Sequence, residues 1–368
     1  MIKINSSNVA IKDFTKEKYQ TKMLFRCTSL LYAERFLETG NIRFGTPQEW
    51  IDDYKINGEG RGDLLEGCYC CMPKFNLQIA NFYRSLRSNV EAFRDSRNDY
   101  LYFRSKDVLN MRTFCLFGLD ERDFQTSALG EDKKEHPTCT IPKKYFEDFS
   151  NVSKEAYDKL TPEEKPVLLM VHNPKEFHKR LRSFMREFGI NDDEWIIRPI
   201  GYSEKNTHFL VGDDIPSELF LKDISFEYQK EVRVVIYTRR HAVIKKLNKC
   251  NGIVNLGEMK DIADIQEYYF DDMTMQLRGR NSLIYTLPKP IFTPLEEMSP
   301  ESLMAIVQQA YENRIPGKEL DDECKRKEYM KPIIDVLNRR FNIDFIYSDA
   351  TFIKRGTKEE IKIILKHN

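Results

Sequence analysis

Residues 24–47, LFRCTSLLYAERFLETGNIRFGTP, change hydrophobic period twice in a short span. LFRCTS suits a strand, LLYAERFLETG places Leu30, Ala33, Phe36 and Leu37 at helical spacing, and NIRFGTP returns to extended chain. Gly40 ends the helix at a position that tolerates left-handed geometry, and Pro47 is expected to stop the second strand. A strand, one short helix and another strand commit the chain to a mixture of α and β structure. Burial accounts for the apolar residues of this unit. It does not account for Arg26, Cys27 and Thr28 on the first strand, or for Gly45 and Thr46 after Phe44 on the second.

Further along, Phe82, Leu86, Val90 and Phe93 recur at helical intervals, MRTFCLFGL reads as a buried strand, and DERDFQTSALGEDKKEHPT reads as a polar loop. Val167–Val171 is an apolar strand. NPKEFHKRLRSFMREFG is the clearest helix, with Asn173 as cap, Pro174 in the first turn and Gly189 beyond the end. Its stripe of Phe177, Leu181, Phe184 and Phe188 is backed by Lys175, Lys179, Arg180, Arg182 and Arg186, either a solvated face or a basic binding face. FEYQKEVRVVIYTRR begins a strand near Phe226–Tyr228 and continues it through Val232 to Ile236. The proline cluster TLPKPIFTPLEEMSP suggests a boundary, dividing the chain into 1–295 and a C-terminal helical and β part, 296–368.

The 368 residues are 41% hydrophobic and 12% aromatic, enough for a sizeable core. Lys plus Arg balances Asp plus Glu at 58 each, so nothing in the overall charge demands nucleic acid or an anionic membrane. No apolar run is long enough to span a bilayer, and the opening MIKINSSNV is not an export segment; a cytoplasmic protein with reduced thiols is expected. CYCC at 68–71 either contributes thiolates to a metal or places Cys68 and Cys70 in a strand core with Cys71 following. The absence of a second pair of sulfur or histidine ligands favours the core, so no metal is expected. RGD at 61–63 is a coincidence in a reduced chain, and GEGRGD lacks the Gly-Lys-Ser/Thr ending of a phosphate-binding loop.

The order FRCTS, a short helix ending at Gly40, IRFGTP and a late YQKEVRVVI resembles the ADP-ribosyltransferase superfamily, especially its DNA-targeting bacterial toxin branch. RTFCLFGL and Lys222 ahead of FEYQKEVRVV also resemble an uncharacterised bacterial family of unknown function. The first resemblance implies an α+β fold with a mixed, mainly antiparallel split sheet and flanking helices. It implies NAD as substrate, Arg26 and Thr28 binding it, Phe44, Gly45 and Thr46 forming the second motif, and Glu231 as the catalytic carboxylate. The arrangement departs from that branch in having Arg26 where the nearest toxins often carry His, and in lacking a Ser-Thr-Ser triplet.

The chemistry suits those residues. Loss of nicotinamide develops an oxocarbenium-like cation that a carboxylate stabilises, a guanidinium forks onto phosphate oxygens, and glycine admits a ligand close to the backbone. Trp50 and Tyr54 are candidates to stack on a base. The competing reading of Glu231, flanked by Lys230 and Arg233, is one member of a surface cross-strand ion pair. The expectation is an ADP-ribosyltransferase-like enzyme or NAD glycohydrolase, a toxin or phage-defence effector acting on nucleic acid or a protein acceptor. The alternatives are a non-catalytic module binding nucleic acid or a partner through the basic helix, and a metal-dependent nuclease using Asp213, Asp214, Glu227 and Lys230. The three-residue spacing of Glu227 and Lys230 puts them on opposite faces of a strand, against the nuclease.

Overall fold

A computed structural model describes residues 10–12, 21–58, 60, 62–73, 77–95, 99–124, 126–129, 134–150, 152–204, 209–211, 216–268, 270–278, 283–287, 295, 298–312, 322–348, 350–355 and 360–361. The chain divides into two compact units, 1–119 with 144–268, and 120–143 with 269–368. Each unit is assembled from two separate stretches of chain, whereas the proline cluster suggests one cut near 295. The fold is α+β with mostly antiparallel sheets, as expected.

The first unit is built on strands β1 (Met23–Ser29), β2 (Arg112–Leu119), β3 (Pro166–Val171), β4 (Trp195–Pro199), β5 (Glu231–Ile236) and β6 (Ala263–Gln266). They form a six-stranded sheet in the order β4-β5-β2-β1-β3-β6 with every neighbouring pair antiparallel. Successive side chains of a strand point to opposite faces, so the register sorts the residues. Phe25 pairs with Phe117, Phe117 with Glu231, and Cys115 with Arg233; these share one face with Cys27. Leu24, Arg26 and Thr28 share the other with their partners Val171, Leu169 and Val167.

Helices α1 (Leu30–Thr39), α2 (Pro47–Asn57), α3 (Pro174–Phe188) and α4 (His241–Lys249) follow from local signals. Gly40 closes α1 at φ 64°, and a Cβ there would lie 2.5 Å from the Gly257 carbonyl oxygen, so a side chain is excluded by both conformation and space. Asn173 caps α3 by accepting from the Glu176 amide at 3.1 Å, and Gly189 ends it in the left-handed region. Ala33, Phe36, Phe177, Leu181, Met185, Val243 and Leu247 from α1, α3 and α4 pack on the Arg26 face, against Leu24, Phe114, Leu116, Leu169, Val232 and Val234.

A five-stranded sheet runs Ala10–Lys12, Phe209–Val211, Cys68–Pro73, Tyr100–Ser105, Val90–Arg94, parallel in its first pair and antiparallel elsewhere. Cys68, Cys70 and Cys71 are all buried there, since a register shift between Cys68 and Cys70 breaks simple alternation. Helical spacing over Phe82–Phe93 holds only to Ser85, where the helix Leu77–Ser85 ends; Asn89 at φ 50° turns the chain into a strand. Phe226–Tyr228 lies in a short 3₁₀ turn, Ile224–Gln229, instead of opening the strand.

In the second unit the polar stretch read as a loop holds two antiparallel strands. Thr126–Leu129 pairs with Glu135–Ile141, which pairs with Met273–Arg278 and onward to Leu283–Leu287. Helices Pro300–Tyr311 and Glu323–Val336 and the strands Ile343–Ile346 and Thr351–Lys354 bury Leu303, Val307, Met330, Leu337, Phe345 and Phe352 together. No helix among the described residues is long and apolar enough to cross a membrane.

Candidate functional site

Pro47 does not simply stop a strand. β pairing ends at Arg43, Gly45 makes an isolated bridge to Thr113, Thr46 caps α2 by accepting from the Glu49 amide, and Pro47 occupies the first turn of α2. Phe44 is fully buried in the apolar core, its ring 5.9 Å from that of Phe114. These three residues of the expected second motif are explained by packing and capping. Their strand partner Thr113 lies four residues from Phe117, so they sit about 13 Å along β2 from the position facing Glu231.

Arg26 and Thr28 also lie apart from Glu231. They project from the face of the sheet covered by α1, α3 and α4, and Glu231 projects from the opposite face. The Arg26 guanidinium donates to the Cys115 carbonyl oxygen at 2.7 Å and stacks 4.8 Å from the Phe114 ring centroid. Beside it, on the Glu231 face, burial pushes the Cys27 thiol up to about 12, which makes it an inert packing group.

What surrounds Glu231 is a buried charge cluster. Glu231 opens β5 and is 4% exposed; Arg233, two residues on and therefore on the same face, is 0% exposed. Arg233 Nε donates to Glu231 Oε1 at 2.7 Å, while its terminal nitrogens fork onto Glu66 at 2.5 and 3.2 Å. One of them also donates to the Leu219 carbonyl oxygen at 2.6 Å, and the plane lies 4.8 Å from the Trp50 ring. Lys222 Nζ is 2.8 Å from Glu231 Oε2 and donates to Gln229 Oε1 at 2.9 Å. The Glu231 amide donates to the Tyr202 hydroxyl at 2.7 Å.

Burial alone would raise the pKa of Glu231, but Arg233 and Lys222 outweigh it and hold the carboxyl well below its ordinary range. Burial pushes the Cys115 thiol well above its ordinary value, and the Glu231 charge adds to that. The cluster therefore presents a carboxylate that stays ionised, on a dry face, with both oxygens oriented by cations.

The turn 62–67 supplies Glu66 and is itself fixed. Arg104 donates to the carbonyl oxygens of Leu64 and Glu66 at 3.1 and 3.3 Å, and Gln229 Nε2 donates to the Gly60 carbonyl at 2.9 Å. Glu231 is not a surface cross-strand ion-pair member: it pairs with Arg233 of its own strand and with Lys222, and burial of all of β5 makes these contacts internal. Trp50, expected as a possible base-stacking group, lies over Arg233 instead. Glu66 and Tyr202 carried no local signal, since they reach Glu231 only through tertiary structure.

The basic face of α3 is largely matched by acids. Arg182 and Arg186 both reach Asp192 at 2.6 Å, and Arg180 reaches Asp261 at 2.9 Å and Glu176 at 3.3 Å. Beside it lies an open groove of about 840 Å³ between α3 and residues 255–261, lined by Phe184, Leu256, Glu187 and Lys260 among others. Among the described residues no group of acidic, histidine or cysteine side chains forms a metal site, and Asp213 and Asp214 of the nuclease reading lie outside the described residues. Compared with known proteins, the chain matches no family model, no curated protein and no solved structure.

Proposed function

We propose that the first unit is an ADP-ribosyltransferase-like domain that consumes NAD, with Glu231 as the carboxylate that stabilises the cation formed as nicotinamide leaves. The carrying observation is the placement of Glu231: a buried carboxylate at the first residue of an interior strand, its two oxygens held by Lys222 and Arg233. The resemblance in motif order supplies the reaction class. In this reading the C1′–N bond of the nicotinamide riboside breaks with its electron pair going to nicotinamide, and water or an acceptor nucleophile on nucleic acid or protein adds to C1′. Such an activity suits a bacterial toxin or phage-defence effector.

Arg26, on the opposite face, is not part of this site; Lys222 and Arg233 are the cations available to it. Because Glu231 is 4% exposed, turnover in this reading requires the chain packed over it to open. Incubation with nicotinamide-labelled NAD tests the proposal: the wild-type protein should release nicotinamide, and Glu231→Gln should slow release by about 100-fold, the scale on which a preorganised charge acts. Release that persists unchanged in that variant would overturn the assignment.

A second reading has its own observation, the open groove beside α3. With Arg180, Arg182 and Arg186 already matched by acids, that surface suits a protein partner better than nucleic acid. Binding to DNA or RNA that weakens steeply with salt would contradict that preference.

A further inference from the structure

We infer that Lys222 and Tyr202 together are positioning residues for Glu231, holding its carboxylate and its backbone amide in place; this rests on the reading of Glu231 given above. The two residues face each other across one register position of a two-stranded parallel ladder, Gly201–Tyr202 with Leu221–Lys222. One ladder position thus touches both ends of Glu231: the Tyr202 hydroxyl takes its amide at 2.7 Å and Lys222 Nζ takes its carboxylate at 2.8 Å. The preceding residue completes the grip, the Ile200 amide donating to the Glu231 carbonyl at 2.8 Å.

The chain enters β5 through Lys230, held at φ 38°, with the Gly118 amide on its carbonyl at 2.9 Å. The left-handed region is unfavourable for a residue with a Cβ, so the entry is over-determined by its surroundings. Glu231 is therefore placed by backbone contacts on both sides as well as through its side chain.

Two cations share the Glu231 carboxylate. Arg233 divides its guanidinium between Glu66 and Glu231 Oε1. Lys222 holds the other oxygen, Oε2, at 2.8 Å. The other titratable groups around it are Cys115 on β2, Tyr202, Tyr145, and Glu66 and Asp63 from the 62–67 turn. Burial raises the pKa of Tyr202 well above its ordinary value and raises that of Tyr145 as well, and Cys115 is raised too, so these three stay neutral and leave Glu231 dependent on the cations. A buried ion pair is a poor way to gain stability, because apolar replacements of similar volume are often neutral or better. Here the ions converge on one carboxylate.

The test is a pH titration of the glutamate side-chain carboxyl carbons by ¹³C NMR, with the Glu231 resonance assigned by its loss in Glu231→Gln. Glu231 should stay ionised through the ordinary carboxylate range in the wild type, and in Lys222→Met its titration should move upward by about two pH units. Lys222→Arg should restore it. In parallel, Tyr202→Phe should lower kcat for NAD about tenfold with KM within about twofold, as expected where an interaction serves the transition state alone. An ordinary titration in the wild type, or one unmoved in Lys222→Met, would overturn the inference; Lys222→Gln, which keeps a polar end for Gln229, gives the same reading if Lys222→Met fails to fold. A wild type that holds Glu231 ionised, with the upward move in the Lys222 variant, yet releases no nicotinamide would refute the enzymatic reading while supporting the hold of Lys222 on Glu231.

Discussion

Arg26 and Arg233 are both arginines on strands of one sheet, with one strand between them, yet their environments predict different consequences of removal. Arg233 is 0% exposed and satisfies two buried carboxylates, so Arg233→Met leaves Glu66 and Glu231 short of a cation and should cost about 3–5 kcal/mol. Arg26 is half-buried, with a carbonyl contact and an aromatic neighbour, and Arg26→Met should cost about 1 kcal/mol. Urea denaturation of the two variants checks the difference; equal losses would show that Arg233 is not the hub. The pH dependence has a definite sign. A carboxyl whose folded pKa is depressed stabilises the fold above its unfolded value of about 4.3, and that contribution is lost as pH falls towards the folded value. Glu231→Gln should therefore flatten the acid limb of the stability profile, measured by chemical denaturation between pH 7 and pH 3.

At the scale of elements, the 62–67 turn holds Glu66 to the sheet, and its packing depends on a glycine. A Cβ on Gly62 would lie 2.4 Å from the Tyr54 backbone nitrogen and 2.9 Å from the Trp50 carbonyl oxygen, both main-chain atoms of α2 that have little room to yield. Gly62→Ala should cost about 2 kcal/mol or more and loosen Glu66 from Arg233; a melting temperature equal to that of the wild type would refute the close packing seen here. Elements with strong local signals were legible in advance: α1 with Gly40, α3 between Asn173 and Gly189, and the β-branched run of β5. Residues 82–93 were not, because apolar residues four apart fit a helix face and a strand face equally, and only the left-handed Asn89 breaks the ambiguity. The pairing of Thr126–Leu129 with Glu135–Ile141 was hidden because these strands are rich in Thr and Ser and carry a Pro, and the next strand, Met273–Arg278, lies far along the chain. The candidate site was legible in one residue, Glu231; its partners Arg233, Lys222 and Tyr202, and Glu66 beyond Arg233, come together only once β5 is buried against chain far away in sequence. Which face of the sheet Arg26 takes depends on strand register, and one residue of slip inverts it.

For the whole molecule, the assembly of each unit from two stretches of chain limits where it can be cut. A chain ending at Tyr268 would leave Glu135–Ile141 without its neighbour Met273–Arg278, an unpaired edge that invites aggregation, and should elute as soluble aggregates in gel filtration. A monodisperse product would show that the pair Thr126–Leu129 and Glu135–Ile141 is stable without the C-terminal stretch. Across the first unit, one sheet serves two purposes: its α-covered face is a conventional apolar core that absorbs Arg26, Thr28 and Phe44, and its other face gathers charges around Glu231. The most direct test compares nicotinamide release from NAD by Glu231→Gln and Arg26→Ala. Loss of about 100-fold in the first with the second within about threefold of wild type is the predicted result; equal losses in both, or none in Glu231→Gln, would contradict it.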